Sequence, residues 1–373
     1  MRRLLASVIA GFVAALAVVW LAAFARGPRR VTTRLVAEDA SAPLSHIAIQ
    51  YAPASDKVAL GVWTQLFAAL PARVRVEVEV ANARDFDRFV AQMKRARIDH
   101  LDRFHAVVVG APAISTWSRD RFAALVDDDG ATHVLAPPMI ETHFRARAGD
   151  QLAPRAMSRA LDGGDPRTAE IVFEGGDLAA TPRLVFADAN LIGRNVGRGT
   201  AGDRASIEDA LARHLAQRIV WLGDAVGDVP RHHIMMYMVP LDDETIAVGD
   251  ERAGAALYAL DPAHAPIALD DVEAEAARFD RAAALLTAQG FHVVRVPALV
   301  LKGAGSYVTY TNALFDRSDR GPVVYLPTYR QPALDRAARA FYEAHGFEVR
   351  PIDVAPIYTL NGSLGCLVNV LAR

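Results

Sequence analysis

The feature that most constrains this chain is a recurring order of elements. From Ser45 onward the apolar pattern cycles through strand, strand, helix and strand at intervals of roughly 60 residues, a period that belongs to repeat architectures. Residues 47–51 read as a short buried strand, 58–70 as a helix, and 73–80, RVRVEVEV, as a half-buried strand by strict alternation. A helix at 86–98 and a buried strand at 106–110 follow. The order then returns. Residues 170–178 and 184–192 read as a strand pair, 205–216 as a helix and 218–222 as a strand. Next, 234–239 pairs with 245–248, with a helix at 272–288 and a strand at 291–296. The last cycle has strands at 307–315 and 323–326, a helix at 334–345 and a strand at 347–352. Such recurrence predicts an α/β circular array or stack of one unit. A plain doubly wound sheet is disfavoured, because hairpin-like pairs keep interrupting its alternation. Four units are clear, and a fifth has to be assembled from residues 120–137 and the chain end. Asp127-Asp128-Asp129-Gly130 and Asp162-Gly163-Gly164-Asp165-Pro166 read as solvated turns. No low-complexity linker divides residues 45–373, which read as one domain.

A chain of 373 residues can bury a sizeable core, and 52% hydrophobic with 23% charged residues describes a folded globular protein. The net charge of -2 gives no footprint for nucleic acid. Lysine occurs only at Lys57, Lys94 and Lys302, so the basic residues are almost all arginine. The single cysteine, Cys366, rules out an intrachain disulfide and any zinc site needing two cysteines from one chain.

Arg2 and Arg3 precede residues 4–25, which are uncharged and apolar except for Ser7, and Arg26-Gly27-Pro28-Arg29-Arg30 follows. The run is long enough to span a bilayer as a helix. Ala23-Phe24-Ala25 also fits an A-x-A cleavage site. Residues 1–30 therefore read as a signal peptide or membrane anchor, and the domain behind them as exported or membrane-anchored. The basic cluster pulls towards cytoplasmic retention, which leaves orientation open.

Four segments beside predicted strand ends carry reactive or charged groups, and such loops are where scaffolds place chemistry. Thr116-Trp117-Ser118-Arg119-Asp120 offers a carboxylate in a pocket for a cation, or a structural Arg-Asp pair. Phe173-Glu174-Gly175-Gly176-Asp177 sets two acids around glycines that permit close approach of a ligand; a solvated turn is the alternative. Arg231-His232-His233-Ile234-Met235-Met236-Tyr237 enters an apolar strand with one histidine on each face, which disfavours a metal pair and leaves one histidine for a site, or an ordinary packed core histidine as the alternative. Asn361-Gly362-Ser363-Leu364-Gly365-Cys366-Leu367-Val368-Asn369 runs glycine-rich backbone into the one thiol at a strand start, an accessible nucleophile or, as the alternative, a buried cysteine in a terminal strand.

Taken together, the order Asp, Glu, His, Cys resembles the guanidine-modifying superfamily, and within it the agmatine deiminase and bacterial peptidylarginine deiminase branch. That branch has W-x-R-D, E-G-G-[ND], H-x-D and a glycine-rich stretch ending in Cys, in this order. Here they match Trp117 to Asp120, Glu174 to Asp177, His233, and Gly362 to Cys366. Tyr310-Thr311-Asn312 followed by Val324-Tyr325-Leu326-Pro327 resembles its Y-x-N and V-x-x-P region. The resemblance implies a five-bladed α/β propeller, the pentein fold, and a hydrolase that deiminates agmatine or free or peptidyl arginine. It implies Cys366 as nucleophile through a thiouronium adduct, His233 as acid and base, Glu174 as orienting group and Asp120 as guanidinium ligand. Trp117, Arg119, Asp177, Asn312 and Gly365 are the implied substrate contacts, with no metal or organic cofactor. The expected partner is a small-molecule or peptide guanidinium substrate, with membrane contact only through the N-terminal segment.

Two positions depart from the branch. Its H-x-D aspartate falls on Met235, and the residue before the cysteine is Gly365 where agmatine deiminases usually have His. Amidinotransfer, with an amine in place of water, is the enzymatic alternative. A catalytically silent propeller that binds a guanidinium or protein partner is the other, and Met235 favours it. A serine hydrolase is disfavoured by the lack of a G-x-S-x-G segment, and a dinucleotide enzyme because Gly193 to Gly199 lacks the fingerprint and its strand-helix context.

Overall fold

The computed structural model describes residues 31–138, 145–261, 266–303 and 305–373. The apolar segment 4–25 and its flanking arginines lie outside the described residues. Among the described residues no helix is long and apolar enough to cross a membrane. Everything below concerns the unit Thr33–Arg373.

Among the described residues the strands form five sheets. The first joins β1 (Arg34–Leu35), β5 (Ala123–Val126), β6 (Thr132–Ala136) and β7 (Arg167–Thr168). The second orders β10 (Arg218–Leu222), β9 (Leu184–Asp188) and β8 (Ala179–Ala180). The third runs β11 (Met238–Pro240), β12 (Thr245–Asp250), β13 (His292–Val300) and β14 (Tyr307–Thr309). The fourth is β15 (Leu314–Ser318), β16 (Gly321–Thr328) and β17 (Glu348–Asp353). The fifth places the last strand, β18 (Val368–Ala372), beside β2 (His46–Tyr51), β3 (Arg75–Val80) and β4 (Phe104–Val108).

One pattern recurs in all five sheets. An antiparallel pair (β5/β6, β8/β9, β11/β12, β15/β16, β18/β2) is followed by a parallel return to β7, β10, β13, β17 or β3. A parallel return needs a crossover long enough for a helix. Helices fill each one: α1 (Asp56–Ala69) before β3, α3 (Ala153–Leu161) before β7, α4 (Asn190–Asn195) and α5 (Arg204–Ala212) before β10, α6 (Glu251–Leu260) and α7 (Val272–Ala288) before β13, and α8 (Pro332–Ala344) before β17. A further helix, α2 (Ala83–Arg95), links β3 to β4. Residues 120–137 and the chain end, expected to make up one unit, fall in different sheets: β5 and β6 pair in the first, while β18 completes the unit of β2 and β3 in the fifth, a pairing between segments far apart in sequence.

Several expectations change. Residues 33–44 belong to the folded unit, whose start was expected at 45: Leu35 pairs with Leu125, and the Leu44 amide donates to Asp316 Oδ1 at 2.7 Å. The alternation in β3 does not mark a solvated face. The strand lies between β2 and β4, and Glu77 and Glu79 are buried. Glu77 is matched by His46 at 3.0 Å and Arg75 at 2.7 Å, while burial drives the Glu79 carboxyl well above its usual range. Residues 170–178 are not a strand; β8 comprises only Ala179–Ala180. Residues 234–236 form a 3₁₀ turn, and the strand there starts at Met238. The run 307–315 breaks into β14 and β15 around Tyr310–Ala313.

Candidate active site

Each sheet's antiparallel pair is entered through a short segment, and these segments carry the residues singled out above. Asp120 ends the 3₁₀ turn Ser118–Asp120 before β5. Glu174 leads the turn Gly175–Asp177 before β8. His233 leads the turn Ile234–Met236 before β11, Asn312 lies just before β15, and Cys366 sits inside the turn Gly365–Leu367 before β18. The groups thus stand at the entrances of strands, and His233 belongs to a turn, not to a strand. The Cys366 turn packs on the Asp120 turn, that one on the Glu174 turn, and that in turn on the His233 turn.

Where they meet there is a cavity of ≈ 320 Å³ lined by Trp117, Asp120, Arg147, Glu174, His232, His233, Leu360, Asn361 and Cys366. His233 Nε2 lies 2.9 Å from Glu174 Oε2. Glu174 is held from behind by Arg194, whose Nη2 is 2.9 Å from Oε2. Gly176 is required by the imidazole, because a Cβ there would stand 2.5 Å from His233 Nδ1. Gly362 plays the same part for Trp117, whose ring would lie 2.3 Å from an added Cβ. Cys366 is 3% exposed yet borders the cavity. The Asn312 amide donates to its sulfur over 3.5 Å and to Met236 Sδ over 3.2 Å.

Four residues expected to touch substrate do not line the cavity: Asn312, buried behind Cys366, and Asp177, Arg119 and Gly365. Asp177 Oδ2 accepts from Arg194 Nε at 2.7 Å and from the Glu174 amide at 2.7 Å, so its charge is spent on fixing the turn. Arg119 is buried, paired with Glu38 and donating to the Leu178 carbonyl at 3.0 Å, since a desolvated guanidinium takes the nearest acceptors. Gly365 does not line the cavity; its amide donates to the Asn312 carbonyl at 3.2 Å. Met235 is buried, its sulfur 4.0 Å from Arg119 Nη2, so a thioether packs where the resemblance would put a second acid. Arg147, His232, Leu360 and Asn361, which line the cavity, and Arg194, which holds Glu174, were not expected at the site. A buried carboxylate that stays ionised needs a cationic partner, but nothing local distinguishes Arg147 or Arg194 from the other arginines.

The charges are set against one another. Burial alone would lower the His233 pKa, but the neighbouring Cys366 side chain, the bond to Glu174 and the charge of Asp120 raise it well above its usual value. Burial would raise Glu174; His233, Arg194 and Arg147 outweigh it and hold the carboxylate well below its usual range. Asp120 is raised by burial and by the charge of Glu174. His232 is pushed down to about 3 by burial and by the charges of His233 and Arg194, and is therefore neutral. Its Nδ1 accepts the His233 amide at 2.8 Å, which leaves Nε2 as the N–H donor. Among the described residues no group of three or more His, Cys, Asp or Glu is arranged to hold a metal ion.

The chain is similar in fold to an agmatine deiminase of C. jejuni with substrate bound (TM-score 0.66, 15% identity, covering 91% of this chain and 97% of that one). It is also similar in fold to the agmatine deiminase of Enterococcus faecalis (TM-score 0.64, 13% identity, 91% and 95% covered). No curated protein matches it in sequence. The family model of Porphyromonas-type peptidyl-arginine deiminase matches residues 47–370. The chain belongs to the Porphyromonas-type peptidyl-arginine deiminase family, within the pentein superfamily, a family of hydrolases that act on C–N bonds.

Proposed function

We propose that this protein deiminates a guanidinium substrate, agmatine or free or peptidyl arginine, to a ureido product and ammonia. The observation that carries the reading is the meeting of Cys366, His233, Glu174 and Asp120 around one cavity. The five sheets, each with the same pairing pattern, are read as the five blades of an α/β propeller. A guanidinium is resonance-stabilised, so its carbon yields only to a strong nucleophile held in line. Asp120 binds the guanidinium nitrogens by charge-assisted hydrogen bonds. Cys366 attacks as the thiolate, and the Asn312 amide donates to its sulfur. The C–S bond forms, and the C–N bond breaks as His233, held protonated by Glu174, gives its proton to the departing ammonia. His233 then takes a proton from water, the oxygen attacks the thiouronium carbon, and the C–S bond breaks to return the thiolate. Guanidinium and water thus become ureido compound and ammonium, with no outside oxidant or reductant. The apolar residues 4–25 support export or anchoring at a membrane.

The test uses parent and Cys366→Ala with agmatine, arginine and an arginine peptide, reading ureido product and ammonia. The parent should turn over at least one of them, and the variant should lose about three orders of magnitude or more. A parent inert to all three, with Cys366 unlabelled by a haloacetamidine at any pH, defeats the proposal. Catalytic silence, the reading that Met235 favours, would then stand.

A further inference from the structure

The acid side of the cavity is occupied by one of the chain's own guanidinium groups. Arg147 pairs through Nη2 with Asp120 Oδ2, lies 3.9 Å from Glu174 Oε1 and keeps Nε 3.5 Å from Asp150 Oδ2. It borders the same cavity as Cys366 and His233. We infer that Arg147 is an internal occupant of the guanidinium site, which competes with the substrate for Asp120 and is displaced when substrate binds. The inference rests on the deiminase reading for the kind of substrate that competes.

Four observations support exchange over a permanent structural pair. A fixed arginine on a carboxylate commonly docks two nitrogens on two oxygens. Arg194 spans two acids, but with both contacts at hydrogen-bond distance, Nη2 2.9 Å from Glu174 and Nε 2.7 Å from Asp177. Arg147 instead engages one oxygen of Asp120, and the other, Oδ1, is covered and has no partner among the described residues. A substrate guanidinium able to use both oxygens would therefore bind Asp120 better than Arg147 does. Second, the Asp120 side chain is 6% exposed, so it can serve a substrate with both oxygens only after Arg147 moves. Third, the other carboxylate lining the cavity, Glu174, is already engaged by His233 Nε2 and Arg194 Nη2 at 2.9 Å each, so Asp120 is the acid a substrate guanidinium has to win from Arg147. Fourth, exchanging one guanidinium for another leaves the charge of the cavity unchanged. The buried Asp120 is never left unpaired, which would be the costly state. At 23% exposure the Arg147 side chain has solvent on one side to withdraw into.

An internal competitor lowers apparent affinity by the fraction of molecules in which it occupies the site. The experiment is calorimetric titration of agmatine and of methylguanidine, a bare head group, into Cys366→Ser and into the same protein carrying Arg147→Met or Arg147→Lys. Arg147→Met should bind both ligands about fivefold to tenfold more tightly, with Arg147→Lys in between. Should Arg147→Met fail to fold, the lysine variant against its parent decides the same question. Unchanged or weaker binding, including an Arg147 that assists the ligand, overturns the inference. So does the absence of binding in every variant. Turnover by the parent is scored separately. Ureido product with unchanged affinity defeats this inference alone, and tightened affinity without product defeats the deiminase reading alone.

Discussion

At the level of single side chains, the His233–Glu174 pair makes the most definite forecast. Its setting includes Arg147, Arg194, Asp120, His232 and Cys366, all of which enter its balance. The imidazole is raised above its ordinary 6.5, so its contribution to stability is full below that value and is lost as pH rises through the folded pKa. The carboxylate is lowered below its ordinary 4.5, so its contribution is full above that value and is lost as pH falls through the folded pKa. The pair therefore stabilises the fold most between these two pH values. Glu174→Gln should cost about 1–3 kcal/mol near pH 5.5 and clearly less near pH 10, measured by urea unfolding. An equal loss at both would defeat the forecast, because the pair would then not titrate between them. Cys366, His233, Glu174 and Asp120 were legible because each stands in a short motif of unusual composition. Their partners Arg194 and Arg147 were not, since an arginine next to nothing distinctive gains meaning only from the acid it reaches.

At the level of helices, strands and turns, the long helices were legible, since apolar spacing declares a face. α7 and α8 lie close to where the spacing put them. The 3₁₀ turns were not. Three residues are too few to show a period, and runs such as Ile234-Met235-Met236 look like strand because both are apolar. The acids of β3 misled for a related reason, since alternation reports side-chain direction and not whether that side is covered. A second buried acid yields a test. Glu251 opens α6 fully buried, and burial, with Glu275, Asp250 and Asp270 nearby, pushes it up to about 8. The folded state therefore holds a proton that the unfolded state releases, and stability falls as pH rises from about 4.5 to about 8. Glu251→Gln should flatten that decline, recovering on the order of a few kcal/mol at about pH 8.5 relative to pH 5 in urea unfolding. A parent with no decline over this range would refute the assignment.

For the molecule as a unit, the decisive contact is between its two ends. β18 lies antiparallel to β2, with Val368 opposite Ile49 and Val370 opposite Ile47. Asn369 donates to the Phe122 carbonyl at 3.0 Å, and half-buried Arg373 donates to the carbonyls of Ala42 and Phe315 at 3.2 Å each. Removing residues 368–373 would expose the edge of β2 and free the turn that carries Cys366. That truncation should abolish the cooperative melt in circular dichroism, beyond removing activity. A truncated protein with the parent's transition would show that β18 serves the site alone.

Residues along the chain were enough to establish a repeated strand and helix unit, a lone thiol behind a glycine-rich stretch, and an ordered set of acids and histidine resembling one superfamily. These are local properties: periodicity, backbone permissiveness and side-chain chemistry all act over a few neighbours. Folding supplied what acts through space. It set Arg119 and Asp177 behind the cavity, joined the chain ends into a fifth sheet, and laid the Arg147 guanidinium on Asp120. Which cation neutralises which buried acid depends on distances between segments far apart in sequence, and no local pattern encodes them.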